Sequence, residues 1–384
     1  MRSRSRTTVL CAWLASTSAC GGVVTPAAST TEGGSSGPSD PTTSGPTPSP
    51  ETTAAPDPST TGAPGSSSSG SAPEGGESMG FLFDVGGGMA TGTTDGTTGV
   101  EPLDYDCDDL TTPFIAEMQI AGAKGYHDVF FDDLGHIIGY DFNSLVQVTY
   151  DGDVSVFLPG VNGAQGMDVL ANGDLLYLND NGELRRVTPD LQVSVVASGM
   201  YGGYGVTVGP DQLAYACHSG GVTRIDPESG DTSTFLTLPG ATPRAIVFNL
   251  DSTGVYMSTL LAPGSPVYFS AVDDDLDPVD DPYVFANNVG LGYHDGLGID
   301  ACGNLYVPDY SSSGLYRVDP EGTVTTVYSG GGAGQPHYGH GLEWGSGIGG
   351  WQDHAIYLPQ PYNGLSVNEV LLGVPSGSTV RTWR

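Results

Sequence analysis

Six polar residues recur through the C-terminal part of the sequence, each at the start of a segment in which apolar and polar residues alternate. They lie 38, 39, 40, 51 and 45 residues apart. In chain order they are His127, Gln165, Tyr204, Arg244, Asp295 and His340. If the segments are repeats arranged in a ring, these side chains converge on its axis. We therefore expect them to form a ligand-binding site.

Part of this set also has the chemistry of metal ligands. Imidazole nitrogens and carboxylate oxygens are typical ligands of divalent transition metals. The candidate ligands are His127, Asp295, His294 and His340. A second interpretation stays open, in which these groups hydrogen-bond to one another and to water trapped in a plugged channel.

Each of the six positions is followed by a pattern that predicts four β-strands. The first repeat, from His127, reads "HDVFFDDLGHIIGYDFNSLVQVTYDGDVSVFL". In its first strand Val129 and Phe131 are two residues apart, so both side chains point to one face, and every repeat has such a pair. Turns rich in Gly and Asp join the strands. Four strands in about 40 residues are typical of a propeller blade, so we predict an all-β, six-bladed β-propeller.

We expect the propeller to occupy residues 113–384, and two segments compete to complete its last blade. The segment "PFIAEMQI" precedes the first repeat, whereas "STVRTWR" ends the chain. We favour the first segment, because it precedes the first repeat as a fourth strand precedes each of the others. This arrangement would join the two ends of the domain.

The N-terminal region predicts export. Residues 1–20 combine three arginines with a short apolar stretch, and small residues precede Cys20, which resembles a bacterial lipobox. We expect lipidation of Cys20; the alternative is a secreted protein cut near Ala19. Residues 21–112 are rich in Ser, Thr, Pro and Gly, which predicts a disordered linker. The protein is then extracytoplasmic, and only a lipid anchor connects it to a membrane.

The charge balance limits the partners. The chain has 11 Lys and Arg against 44 Asp and Glu, a net charge of −33. Such a surface repels nucleic acid and anionic lipid headgroups. We expect a monomer whose partner is a small polar ligand or another protein. The acidic run between Asp273 and Asp281 lacks the spacing of a calcium loop, which favours a solvated loop.

Five cysteines are present, of which Cys11 and Cys20 lie in the predicted signal. Cys107, Cys217 and Cys302 remain, and export permits disulfides. Three cysteines predict one pair and one buried thiol. Cys107 lies just before the predicted domain, so its pairing with either partner would hold the chain at its entry.

The fifth repeat, "HDGLGIDACGNLYVPDYSSSGLYRVDPEG", resembles the gluconolactonase and senescence-marker-protein family, and also NHL-type repeats. Both groups are six-bladed propellers. The resemblance implies a divalent cation held by a Glu of the first blade, an Asn of a middle blade and the Asp of the "DG" phrase. Only the Asp is matched, by Asp295; the other positions read "GYHDV" near His127 and "TPRAI" near Arg244.

Three hypotheses for function follow. The first is a propeller that binds a small polar ligand or a partner at its channel mouth. The second is a metal-dependent hydrolase or lyase of lactonase type with altered ligands. The third is a non-catalytic structural or adhesive module. The sequence contains no Walker loop, HExxH or CxxC motif that would favour another class of enzyme.

Overall fold

The structure is a computed structural model. It describes residues 105–110, 115–120, 127–329, 339–360 and 366–381. The predicted signal with Cys20, and most of the predicted linker, lie outside these ranges. Among the described residues, no helix is long and apolar enough to cross a bilayer.

Twenty-four strands form six antiparallel sheets of four strands each, as expected for a six-bladed propeller. Each sheet is one blade, and its strands follow one another from the axis outward. The strands of blades one to three are β2 (Val129–Phe131), β3 (Ile137–Tyr140), β4 (Ser144–Val148), β5 (Val154–Pro159), β6 (Ala164–Val169), β7 (Leu175–Asn179), β8 (Glu183–Val187), β9 (Val193–Ser198), β10 (Val206–Val208), β11 (Ala214–His218), β12 (Gly221–Ile225) and β13 (Thr232–Leu236). Those of blades four to six are β14 (Thr242–Phe248), β15 (Gly254–Leu260), β16 (Val267–Ala271), β17 (Tyr283–Ala286), β18 (Gly298–Ile299), β19 (Leu305–Asp309), β20 (Gly314–Val318), β21 (Val324–Tyr328), β22 (Glu343–Trp344), β23 (Ala355–Gln360), β24 (Ser366–Leu371) and β1 (Ile115–Ile120).

The last blade is completed by the N-terminal strand. β1 pairs antiparallel with β24, and Ile120 lies opposite Val367. The prediction that "PFIAEMQI" supplies this strand is confirmed. The alternative strand "STVRTWR" is wrong, because Gly377–Thr379 form a 3-10 turn.

The core lies between the blades. The buried apolar side chains fall into six clusters, and each cluster combines residues of two neighbouring blades. The inner strands therefore bury both faces, which explains why their bulky residues alternate along the sequence with small and polar ones. Polar bridges add to this packing: Asp168 Oδ2 accepts a hydrogen bond from the Val208 N–H of the next blade at 2.7 Å.

A disulfide links Cys107 to Cys302, whose Cα atoms are 5.5 Å apart. Cys302 lies in the turn between β18 and β19, so the chain entering the propeller is held against blade five. Cys217 is the buried thiol, and burial raises its pKa so that it stays protonated. The expected pattern of one pair and one buried thiol is confirmed, and the partner of Cys107 is Cys302.

The propeller has two different faces. Because neighbouring strands are antiparallel, the turns within each blade alternate between them. We call the face where the inner strands begin the mouth face; it carries the connections between blades and the turns joining second to third strands. The far face carries the other turns, including the one with Cys302.

Candidate functional site

The six predicted residues lie where the chain enters the inner strands, and the backbone is tightly packed there. A Cβ added to Gly166 would lie 2.3 Å from the Tyr204 carbonyl oxygen. Gly205 is at the equivalent position one blade later, and it donates its N–H to the Arg244 carbonyl at 2.8 Å. Arg244 thus occupies the position in blade four that Tyr204 occupies in blade three. Gly after the polar residue permits this close approach between blades.

Arg244 and Asp295 form a buried ion pair at the centre of the site. Their side chains are 0% and 2% exposed. Arg244 Nε lies 2.6 Å from Asp295 Oδ1, and Nη2 contacts the same oxygen. The guanidinium lies over the ring of Tyr204 and 5.2 Å from the ring centre of Tyr293. Burial lowers the pKa of Arg244, and the carboxylate of Asp295 opposes this effect.

His340 approaches the other carboxylate oxygen. Its Nδ1 is 2.6 Å from Asp295 Oδ2, and its ring centre is 4.5 Å from that of His127. Burial alone raises the pKa of Asp295, but the hydrogen bond from His340 and the charge of Arg244 outweigh it, so the pKa is lowered and Asp295 is ionised. Burial also lowers the pKa of His127, and nearby His340 and Arg244 lower it further, so that His127 is neutral.

Three of the four candidate metal ligands come together. Ligand atoms of His127, Asp295 and His340 lie within 4.8 Å of one another. His294 is not in this group. It is buried, and its Nε2 donates a hydrogen bond to the carbonyl of Val289. The pKa of His294 is lowered, and burial is the largest cause.

The donor set of this group determines which metal it suits. Two imidazoles and one carboxylate are typical of a transition metal such as zinc, whereas calcium takes six to eight oxygens. Burial keeps the ring of His127 neutral, which is the protonation state that a metal ligand requires. Arg244 opposes a cation, because it neutralises Asp295 and places a positive charge beside the group. The types of donor therefore suit a transition metal better than calcium, and the charge of Arg244 weakens the site for either.

Above the ion pair, a cavity of about 400 Å³ opens on the mouth face. Its lining combines aromatic rings with polar groups. The lining residues are His127, Gln165, Asp180, Gly202, Gly203, Tyr204, Tyr293, Tyr310 and His340. Four of the six predicted residues thus line this mouth cavity. Asp295 lines the narrower central channel of about 130 Å³ below it, and Arg244 is buried between blades.

A residue that lines the mouth cavity carries a buried acceptor. Gln165 is 5% exposed, and its Nε2 donates a hydrogen bond to Asp180 Oδ1. Among the described residues, Gln165 Oε1 has no hydrogen-bond partner. A buried polar atom without a partner is costly, which favours a ligand or water donor at this position. Tyr310 lies opposite, with its ring centre 5.0 Å from that of Tyr293 and 5.1 Å from that of His340.

Sequence reasoning missed Asp180, Tyr293 and Tyr310. Asp180 and Tyr310 directly follow Asn179 and Asp309, which end the second strands of their blades. The turns after second strands return to the mouth face, so the residue after each strand end can reach the axis. Strand order in a propeller was therefore a usable signal for these two residues.

The residues that end second strands accept backbone hydrogen bonds from the loops near them. Asn179 Oδ1 accepts the N–H groups of Asn181 and Glu183, each at 3.0 Å. Asp309 Oδ1 accepts the N–H of Tyr293 at 2.9 Å and that of Ser311 at 3.2 Å. Asp309 thus fixes the loop that carries Tyr293 into the mouth cavity.

Two further acidic candidates have structural roles. Asp128 accepts hydrogen bonds from the N–H groups of Val129 and Met167, which links blades one and two, and burial raises its pKa well above the ordinary value. Asp273 accepts the N–H groups of Asp275 and Asp277 within an exposed acidic loop. This agrees with the expected solvated loop.

Comparison with known proteins extends the description of the fold. No family model and no curated protein matches this sequence. Among solved structures, a gluconolactonase from Xanthomonas campestris is 15% identical, with a TM-score of 0.54, over 67% of this chain and 89% of that one. The chain has the fold of this six-bladed propeller group. The calcium-binding protein regucalcin from Agrobacterium tumefaciens is 14% identical, with a TM-score of 0.52, over 67% and 95% of the two chains.

A third similar structure is an auxiliary nutrient binding protein from Bacteroides thetaiotaomicron. It is 14% identical, with a TM-score of 0.52, over 65% of this chain and 69% of that one. At these identities the similarity concerns the fold alone, since one propeller fold supports many functions. Function must be inferred from the residues of this chain.

Proposed function

We propose that this protein is an exported propeller, anchored through Cys20, which binds a small polar ligand in the mouth cavity. The observation that carries the proposal is Gln165 Oε1, a buried acceptor without a described partner in a cavity of about 400 Å³. Cavities of this size with a few convergent polar groups are typical of small-molecule sites.

The ion pair below the cavity supplies a rigid polar floor. Arg244 holds Asp295, and Asp295 orients His340 towards the cavity. The rings of Tyr293 and Tyr310 provide apolar surface with hydroxyl groups at the edge. Such a site favours a neutral ligand, because the charges of Arg244 and Asp295 already compensate each other.

The test measures thermal stability of the purified mature protein against monosaccharides, sugar lactones and polyols, followed by calorimetry. We expect at least one of them to raise the melting temperature. Tyr310→Ala and Gln165→Ala should abolish the shift. Tyr283→Ala is the matched control, because Tyr283 is exposed on the outer strand β17, away from the mouth. No shift with any compound, or full retention of it in both cavity variants, would contradict the proposal.

A metal-dependent hydrolase or lyase of lactonase type is the second candidate, favoured by the convergence of His127, Asp295 and His340. A bound transition metal would supply Lewis acidity or an activated water. These residues would hold it, with Asp295 keeping His340 oriented. Metal analysis of protein purified without chelator tests this candidate. Stoichiometric metal that is lost in His127→Ala supports it, whereas metal-free protein that zinc does not stabilise removes it.

A further inference from the structure

The charges on the two faces of the propeller differ strongly. On the far face, fourteen acidic residues are exposed in the turns. They are Asp151, Asp153, Asp190, Asp211, Glu228, Asp231, Asp251, Asp273, Asp274, Asp275, Asp277, Asp280, Asp281 and Glu321. In the described turns of the mouth face, Asp180 is the exposed acid, and these turns contain no Lys or Arg. The described part of the mouth face is thus nearly neutral in a chain whose net charge is −33.

Four large apolar side chains are exposed on the turns of this neutral face. They are Phe142, Tyr201, Leu261 and Leu291, with exposed fractions of 47%, 68%, 67% and 68%. We call these four residues the rim. Phe142 and Leu261 have positive φ angles of 75° and 51°, which are uncommon for bulky residues and carry an energetic cost.

Chain neighbours and backbone hydrogen bonds link three of the rim residues to the loops around the mouth cavity. Tyr201 directly precedes Gly202, which lines the cavity. The N–H of Leu261 donates to the Gly292 carbonyl at 2.6 Å. Leu291 N–H donates to Asp309, the same carboxylate that holds Tyr293. The buried carboxylate of Asp309 therefore positions one rim residue and one cavity residue together.

We infer that the mouth cavity and the rim together bind a neutral oligosaccharide, with one sugar in the cavity and its neighbours over the rim. This inference rests on the proposed function and extends it. Sugar rings have apolar C–H faces that pack on aromatic and aliphatic side chains, while their hydroxyl groups donate to acceptors such as Gln165 Oε1 and Asp180. Acidic polysaccharides are disfavoured, because the described turns of the mouth face contain no Lys or Arg to attract them and the acidic chain repels them.

The rim suits a carbohydrate better than a protein. A stable protein interface buries about 800 Å² on each partner and has an apolar centre. Here the centre is a polar depression, and the apolar residues are spaced around it. An extended polar chain that enters the depression and crosses the rim matches this arrangement.

The test measures affinity of the full mature protein for neutral glucans, mannans and xylans, with oligosaccharides of one to six units and with alginate as the anionic comparison. We expect affinity to increase with chain length and alginate not to bind. Tyr201→Ser and Leu291→Ser should each weaken oligosaccharide binding roughly two- to tenfold. Both variants should leave monosaccharide binding unchanged.

Val195→Ser is the matched control, because Val195 is similarly exposed on the outer strand β9. It should bind every sugar as the wild type does. If affinity does not depend on the length of the oligosaccharide and neither rim variant has an effect, the rim is not part of the binding site. The proposed function would still stand. Failure of every compound in both assays would remove the proposed function itself. A dimer by light scattering that Leu291→Ser dissociates would identify the rim as a self-association surface and overturn the inference.

Discussion

At the scale of single residues, Arg244 determines the character of the site. The resemblance of the fifth repeat implies an Asn near this position, as one ligand of a cation. In this chain the buried guanidinium of Arg244 forms an ion pair with the carboxylate of Asp295. Asp295 consequently acts as a fixed acceptor between Arg244 and His340.

Removal of Arg244 should be strongly destabilising. Arg244→Met leaves the carboxylate of Asp295 buried without its cation, which should lower the free energy of unfolding by about 3–5 kcal/mol. Urea denaturation measures the change. In the double variant Arg244→Met with Asp295→Asn, much of the loss should be restored.

The surface pair Arg185–Glu183 provides the control for that measurement. Its two side chains are 33% and 28% exposed. Arg185→Met should therefore cost only about 0–1 kcal/mol. Equal losses of unfolding free energy for Arg185→Met and Arg244→Met would show that the buried pair contributes no more to stability than the surface pair.

At the scale of elements, the repeat predicted most of the architecture. Local alternation, as in Met167 and Val169, and turns rich in Gly and Asp are short-range signals, so the blades could be recognised one by one. Closure was left with two alternatives, because β1 and β24 are far apart in the chain and no local pattern encodes their pairing. Tyr293 was missed for a similar reason: its place in the cavity depends on a contact with Asp309, which belongs to another segment.

The disulfide should stabilise the closure of the ring. It spans 195 residues, and β1 lies only a few residues after Cys107. Cys107→Ser with Cys302→Ser should lower the free energy of unfolding by about 2–5 kcal/mol, because the unfolded chain regains freedom. Thermal unfolding measures the loss.

Cys217→Ala serves as the comparison for the disulfide variant. Its thiol is buried and unbonded to another cysteine. Reducing agent should destabilise the wild type and Cys217→Ala alike, and should leave the double serine variant unchanged. A double serine variant as stable as the wild type would show that β-strand pairing alone closes the ring.

At the scale of the whole molecule, the propeller separates charge from binding surface. The acidic turns lie on the far face, and the neutral mouth face carries the cavity and the rim. The sequence composition gives the net acidity of the chain. It could not show this asymmetry, because the face of each turn depends on strand order and not on residue type.

The stability of the whole domain should fall in mild acid. Burial lowers the pKa values of His127, His294 and His218, so each is neutral when folded but takes up a proton near pH 6.5 when unfolded. The unfolded state then binds more protons, and stability decreases as pH falls below about 6.5. Burial raises the pKa of Asp128 well above its ordinary value, and this acts in the opposite direction at every pH between the two values.

Melting temperatures between pH 7.5 and pH 5 test this expectation. Most exposed carboxylates remain ionised above about pH 5, and the buried Asp128 contributes equally to the wild type and to a histidine variant, so the difference between the two proteins reports the histidine. His127→Gln should show a shallower decline than the wild type. A melting temperature that stays constant or rises on acidification would contradict the assignment of neutral, buried histidines.

The bond between Cys107 and Cys302 also determines how the protein can be handled. It attaches the preceding chain to the far face, opposite the mouth cavity. An affinity tag, fluorophore or sensor surface coupled ahead of Tyr105 is therefore joined to the propeller on the side that carries the acidic turns. Immobilisation through the N-terminal segment is accordingly the orientation of choice for measuring ligands at the mouth.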